Sequence, residues 1–207
     1  MRRERMLYVM GFTFVMTFFM AVVLSFAHYQ TVDIVYNNEL ERRQSTVLAA
    51  LGIEAGSQEE VFAAYSALEH KDFSPAAGDD RPVYVYQDST GPRYARQFTG
   101  PGVWGDIVAV ISVNADASEI IGVEILDHNE TPGLGGRVTS RTFLDQLAGE
   151  SIGAEGITVV TRGPGDSDPS NGKIDGITGA TGTTRAFDRM LNRELRDLQE
   201  ILAGDEA

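Results

Sequence analysis

Leu7 to Ala27 reads LYVMGFTFVMTFFMAVVLSFA, 21 residues without a charge. As a helix this run rises roughly 30 Å, the thickness of a bilayer core. Arg2, Arg3 and Arg5 precede it, and no Lys or Arg follows until Arg42. That asymmetry keeps the N-terminus in the cytoplasm and places everything after about residue 30 outside. Ser25-Phe26-Ala27 resembles a small-x-small cleavage site, which leaves a cleaved signal peptide as the alternative. The run exceeds the roughly 7–15 apolar residues usual in such a signal and points instead to a retained anchor.

Behind the span the apolar spacing changes. Residues 31–52 predict a helix with Ile34, Val35, Leu40, Val47, Leu48 and Leu51 as its apolar positions, ended by Gly52. Ser57-Gln58-Glu59-Glu60 is a capping-box pattern opening a helix to about Glu69. Ser74–Pro82 reads as a loop. Val83–Tyr86 and Tyr94–Phe98 are strands about the turn composition Asp88–Pro92. Ile107–Val113 and Ile120–Leu126 are β-branched runs expected to pair as antiparallel core strands. Arg141–Ala148 predicts a helix, Ile157–Thr161 a strand and Gly163–Gly172 a loop. From about Thr183 to Leu202, Phe187, Met190, Leu191, Leu195, Leu198, Ile201 and Leu202 recur at three- and four-residue steps, the pattern of an amphipathic helix. The expected architecture is α+β: an antiparallel sheet with packed helices, preceded by one N-terminal transmembrane helix. The expected divisions are an anchor over 1–30, a helical connecting segment over 31–78 and a folded domain over 79–207.

Composition removes several functions. The net charge of −13 disfavours a phosphate-backbone partner, so no nucleic acid is expected. With no cysteine there is no disulfide, cysteine-ligated iron–sulfur cluster or thiol nucleophile. His128 has no second histidine nearby to form a metal pair, and no Ser-His-Asp set stands out. We expect no catalytic residues and no metal.

Three stretches could carry a ligand. Asp175-Gly176-Ile177-Thr178-Gly179-Ala180-Thr181 stands before the last helix. Its glycines allow close backbone approach, and hydroxyls at Thr178, Thr181, Thr183 and Thr184 lie where a helix start offers unpaired N–H groups to an anion. The same residues suit a plain helix cap. Glu130-Thr131-Pro132-Gly133-Leu134-Gly135-Gly136 follows a core strand, and its Thr-Pro-Gly suits a type II turn. Gly100-Pro101-Gly102-Val103-Trp104-Gly105 holds the sole tryptophan between glycines, free to cover a flat ring or to plug a strand end.

Together, in this order behind one N-terminal span, the three stretches resemble the FMN-binding domain of the Rnf and Nqr electron-transport complexes, found in the G subunit of Rnf and the C subunit of the sodium-pumping NADH:quinone reductase. Asp-x-x-Thr-Gly-Ala-Thr is similar to the flavinylation motif of that family. The resemblance covers roughly residues 80–200 and makes 79–207 the FMN-binding domain. It implies a covalent FMN esterified through its phosphate to Thr181 by a flavin transferase that uses FAD and recognises Asp175. It further implies a phosphate pocket shaped by Thr178, Gly179 and Ala180, with Thr183 beside it. Glu130, Thr131 and Leu134 would contact the isoalloxazine or ribityl part, and Trp104 would border the ring. Gly182 departs from the pattern, since many members carry an apolar residue after the modified threonine. The implied protein is a single-pass inner-membrane subunit with a periplasmic FMN domain, relaying electrons among other integral membrane subunits rather than acting as a catalyst on its own. A stand-alone FMN carrier and a non-redox anchored binding module remain as alternatives.

Overall fold

A computed structural model of the chain describes residues 2–71, 81–160 and 168–205. The chain divides into two compact units, Met1–Glu41 and Arg42–Ala207. Helix α1 (Arg2–Ala50) runs unbroken through the apolar segment. It is the one described helix long and apolar enough to cross a membrane, and its most apolar window is wholly unburied.

The second unit is built on a five-stranded antiparallel sheet in the order β1-β2-β3-β4-β5. The strands are β1 (Glu69–Lys71), β2 (Val83–Asp88), β3 (Gly91–Pro101), β4 (Asp106–Val113) and β5 (Ile120–His128). Alternation along β4 decides what each face meets. Ile107, Ala109, Ile111 and Val113 enter one core with Phe98, Ile120 and Val123. Val110 enters the other, with Ala95, Val47, Leu48, Leu51, Val61 and Leu68. The first core is closed by α4 (Thr181–Asp205), whose buried Phe187, Met190, Leu191, Leu195, Leu198 and Leu202 match the expected apolar stripe. Each such side chain contributes about 1.5–3 kcal/mol on burial. The helix lies close on β3: a Cβ at Gly100 would stand 2.5 Å from the Met190 Cβ. Deeper along α4, buried Glu194 faces Arg96 of β3 at 3.2 Å and Arg81 at 3.0 Å.

The second core is closed by the end of α1 and by α2 (Gln58–Ser66). The Ser112 hydroxyl donates to the Ala50 carbonyl, and Arg93 Nη1 donates to the Leu51 carbonyl at 2.7 Å. Gly52, at φ +74°, turns the chain out of the helix.

The structure departs from the sequence reading in four places. The α2 helix stops at Ser66, and Glu69 opens β1; the three β1 side chains are all exposed, so no apolar alternation marks the strand. The β2–β3 hairpin turns on Ser89-Thr90 alone, with Asp88 and Gly91 still paired. The helix expected over Arg141–Ala148 is the single turn α3 (Arg141–Leu144). A second, parallel pair joins β6 (Thr158–Val160) to β7 (Lys173–Asp175), so the first residue of the seven-residue motif ends a strand. Thr161, residues 163–167 of the Gly163–Gly172 loop and residues 74–80 of the Ser74–Pro82 loop lie outside the described residues.

Candidate functional site

All three glycine-rich stretches meet at the N-terminal end of α4. The first is the β3–β4 connection, Gly102 to Gly105, closed by Gly102 N–H donating to the Gly105 carbonyl at 2.8 Å. The second follows β5. Gly133 has φ +75°, and Leu134 N–H donates to the Thr131 carbonyl at 3.2 Å, as a type II turn requires. A 3-10 helix, Gly135–Thr139, continues from it. The third is the turn before α4, where Gly179 adopts φ +82° and Ala180 N–H donates to the Ile177 carbonyl at 3.0 Å.

Glu130 ties the three together. It is 4% exposed. Its Oε1 accepts from the backbone N–H of Val103 at 2.6 Å and of Trp104 at 3.1 Å. Its Oε2 accepts from the Thr183 hydroxyl at 2.5 Å. Burial pushes the Glu130 carboxyl up. The hydrogen bonds from Thr183, Trp104 and Val103, with His128 nearby, outweigh this and hold it below the ordinary carboxylate range. His128 Nδ1 in turn accepts from the Glu130 N–H at 3.1 Å. Glu130 and Thr183, both expected at the cofactor, are thus buried and bonded to one another.

The other expected residues are distributed differently. Thr131, Thr178, Gly179 and Thr181 are exposed, and Ala180 is buried. Trp104 is 72% exposed and Leu134 50%. Asp175 ends β7, and its backbone pairs with the Gln146 side-chain amide: its N–H donates to Gln146 Oε1 at 2.9 Å, and Gln146 Nε2 donates to its carbonyl at 3.3 Å. Gln146 was not among the expected residues; nothing in the sequence links it to a strand 29 positions away.

Threonines here do not cap the helix in the ordinary way. The Thr183 hydroxyl is committed to Glu130, and the Thr184 hydroxyl accepts from Ile177 N–H at 3.1 Å. Ala180, just before α4, has no side-chain oxygen. Among the described residues, no side chain caps the first-turn N–H groups of Thr181, Gly182 and Thr183, which have no intrahelical acceptor. Such groups, at the positive end of a 25-residue helix, suit a phosphate.

Beside this polar end lies an apolar shelf. Beyond the apolar face of α1, the exposed large hydrophobic side chains of the described residues are Phe62, Val103, Trp104 and Leu134. Val103 and Leu134 lie against the turn and first residues of α4, and Trp104 follows Val103 in the chain. A Cβ at Gly179 would stand 3.7 Å from Leu134 Cδ2, and one at Gly182 only 2.9 Å from Val103 Cγ2. Val103 was not singled out by the sequence; it takes the space beside Gly182 that a side chain there would need. Uncommitted first-turn amides next to an exposed hydroxyl and exposed apolar side chains suit a group with a phosphate at one end and an apolar body at the other.

The fold and the site together define an α+β domain with a candidate ligand surface at the start of its last helix. A profile of the FMN-binding domain matches residues 102–196, which include or border all three stretches. The chain is 30% identical over 97 residues to the C subunit of the Na(+)-translocating NADH-quinone reductase of Yersinia pestis, covering 45% of this chain and 36% of that protein. It is 30% identical over 125 residues to the G subunit of the ion-translocating oxidoreductase complex of Methanosarcina acetivorans, covering 56% of this chain and 61% of that one. The match therefore spans little more than a third of the Yersinia protein and under two thirds of the Methanosarcina one. Among solved structures, the C subunit of the Na(+)-translocating NADH-quinone reductase from Parabacteroides distasonis superposes with a TM-score of 0.67 at 26% identity, over 82% of this chain and 95% of that one.

Proposed function

We propose that this protein is a membrane-anchored, extracytoplasmic electron-transfer subunit of an Rnf- or Nqr-type complex, with FMN attached through its phosphate to the Thr181 hydroxyl. One observation carries the attachment reading: Thr181 is the exposed first residue of a helix whose first-turn amides meet no side-chain cap among the described residues, with exposed Val103 and Leu134 close to its neighbours Gly182 and Gly179. Attachment replaces the bond between the FMN phosphorus and AMP in FAD by a bond to Thr181 Oγ. AMP leaves and the hydroxyl proton passes to solvent, so a transferase is needed but no oxidant.

In this reading the chain's own residues bind and orient. First-turn amides of α4 hold the phosphate, Thr178, Gly179 and Ala180 shape the turn beneath it, and Leu134 and Trp104 border the ring. Asp175, at the end of β7, marks the motif for the transferase. Once attached, FMN supplies one- and two-electron transfer. The ester keeps the flavin from diffusing away outside the cytoplasm, which a reversible site could not do. Arg2, Arg3 and Arg5 before the apolar helix set the N-terminus inside.

The test is co-expression with a flavin transferase, followed by a denaturing gel viewed under ultraviolet light. The wild-type chain should give a fluorescent band, Thr181→Ala none, and Thr183→Ala a band. A band surviving in Thr181→Ala moves the acceptor elsewhere, and no band in the wild type removes the covalent reading. Co-purification with integral membrane subunits separates a member of a complex from a stand-alone carrier.

A further inference from the structure

An indole that is 72% exposed has little packing to fix where it points. What holds Trp104 is its backbone. The tip that carries it is closed by one backbone hydrogen bond, from Gly102 to Gly105, and its next two amides both donate to Glu130. The other oxygen of the same carboxylate is bonded to Thr183, two residues beyond Thr181 on α4. One buried side chain therefore connects the residue expected to border the ring with the helix turn that presents the acceptor hydroxyl.

The surroundings are built for that carboxylate. A Cβ at Gly102 would stand 2.5 Å from Oε1, and one at Gly135 would stand 2.5 Å from Oε2 and closer still to Thr183 Oγ1. Both glycines leave the space in which the two oxygens meet their donors. A side chain at either position would collide with one of them.

We propose that Glu130 is the positioning residue of this site: it fixes the Val103–Trp104 tip to the first turn of α4, setting the Trp104 indole against Thr181 before any flavin is attached. Glu130 acts through its two neighbours and does not itself meet the flavin. Only the second measurement below rests on the flavin reading.

The first measurement uses the full chain in detergent, expressed without a transferase. Backbone hydrogen exchange is followed at the Val103 and Trp104 amides, with α4 core amides as the folding control. Wild type should protect both tip amides, and Glu130→Ala should speed their exchange roughly tenfold or more, the size of a lost charge-assisted hydrogen bond. Glu130→Gln, which keeps an acceptor of the same shape, should restore much of the protection. If Glu130→Ala fails to fold, Thr183→Val cuts only the tie to α4 and should still speed exchange at both amides. Tip amides as protected in the folded variant as in wild type would overturn the proposal.

The second measurement uses flavin-loaded protein. A tryptophan held beside a flavin quenches its fluorescence, so the yield per attached flavin should rise in Glu130→Ala and fall back in Glu130→Gln. An unchanged yield overturns the positioning role. If wild type takes up no flavin, the attachment reading fails, and the exchange measurement still decides the role of Glu130.

Discussion

Helix α4 begins and continues under opposite rules. In its middle, Leu191, Leu195 and Leu198 are buried, and Glu194 is enclosed between Arg96 and Arg81. At its start, Thr181 and Gly182 are exposed, no side chain among the described residues caps the amides, and the buried Glu130 accepts from two backbone amides and a hydroxyl. Both regions contain a buried carboxylate, yet one is held by cations and the other by amides and a hydroxyl. The difference separates the part of the helix that stabilises the fold from the part that carries the candidate site.

The widest gap should appear on removing the carboxylate of the middle. Glu194→Ala takes away the buried carboxylate that faces both Arg96 and Arg81 and should destabilise by about 3 kcal/mol in urea unfolding, while flavin attachment in the folded fraction is unchanged. Next is Gly135→Ala, which drives a methyl onto Thr183 and Glu130. About 1–3 kcal/mol of overpacking is expected from the same experiment, now with weakened flavin attachment.

Acid should then distinguish the two carboxylates by sign. Hydrogen bonds lower the Glu130 carboxyl below its unfolded value, so its contribution is present above the ordinary carboxylate range and is lost as pH falls through the lowered folded value. Burial raises Glu194 despite Arg96 and Arg81, so its contribution is largest at low pH and falls as pH rises through the raised folded value. Stability–pH curves of Glu130→Gln and Glu194→Gln should depart from wild type with opposite slopes. The smallest stability effect belongs to the residue with the largest functional one. Thr181→Ala, at an exposed site, should shift unfolding by no more than about 0.5 kcal/mol while abolishing the flavin band.

Legibility follows the same division. Residues whose role is burial announced themselves by period: Ile107–Val113 and Ile120–Leu126 pair as expected, and Phe187 to Leu202 form the expected stripe. The three glycine-rich stretches were also readable as ligand candidates, because glycine and threonine mark turns and helix starts. What the sequence could not reveal were the pairings. Glu130 and Thr183 are 53 positions apart, and only the folded chain makes them partners. Strand β7 has one buried residue, Ile174, and completes its hydrogen bonding through Gln146, so it carries no strand pattern of its own. Thr183 is expected at the cofactor as a hydroxyl at a helix start, and nothing in the sequence tells that its hydroxyl donates to Glu130.

The close approach of Val103 to Gly182 makes those two positions share one volume. A methyl added at 182 would meet Val103 Cγ2 at 2.9 Å, so the side chain missing from the helix start is supplied by the hairpin tip. Substitutions at the two positions should therefore compensate: Gly182→Ala should be better tolerated together with Val103→Ala than alone. The pair can trade bulk between the strand connection and the helix, keeping the surface beside Thr181 covered while neither position is fixed by itself.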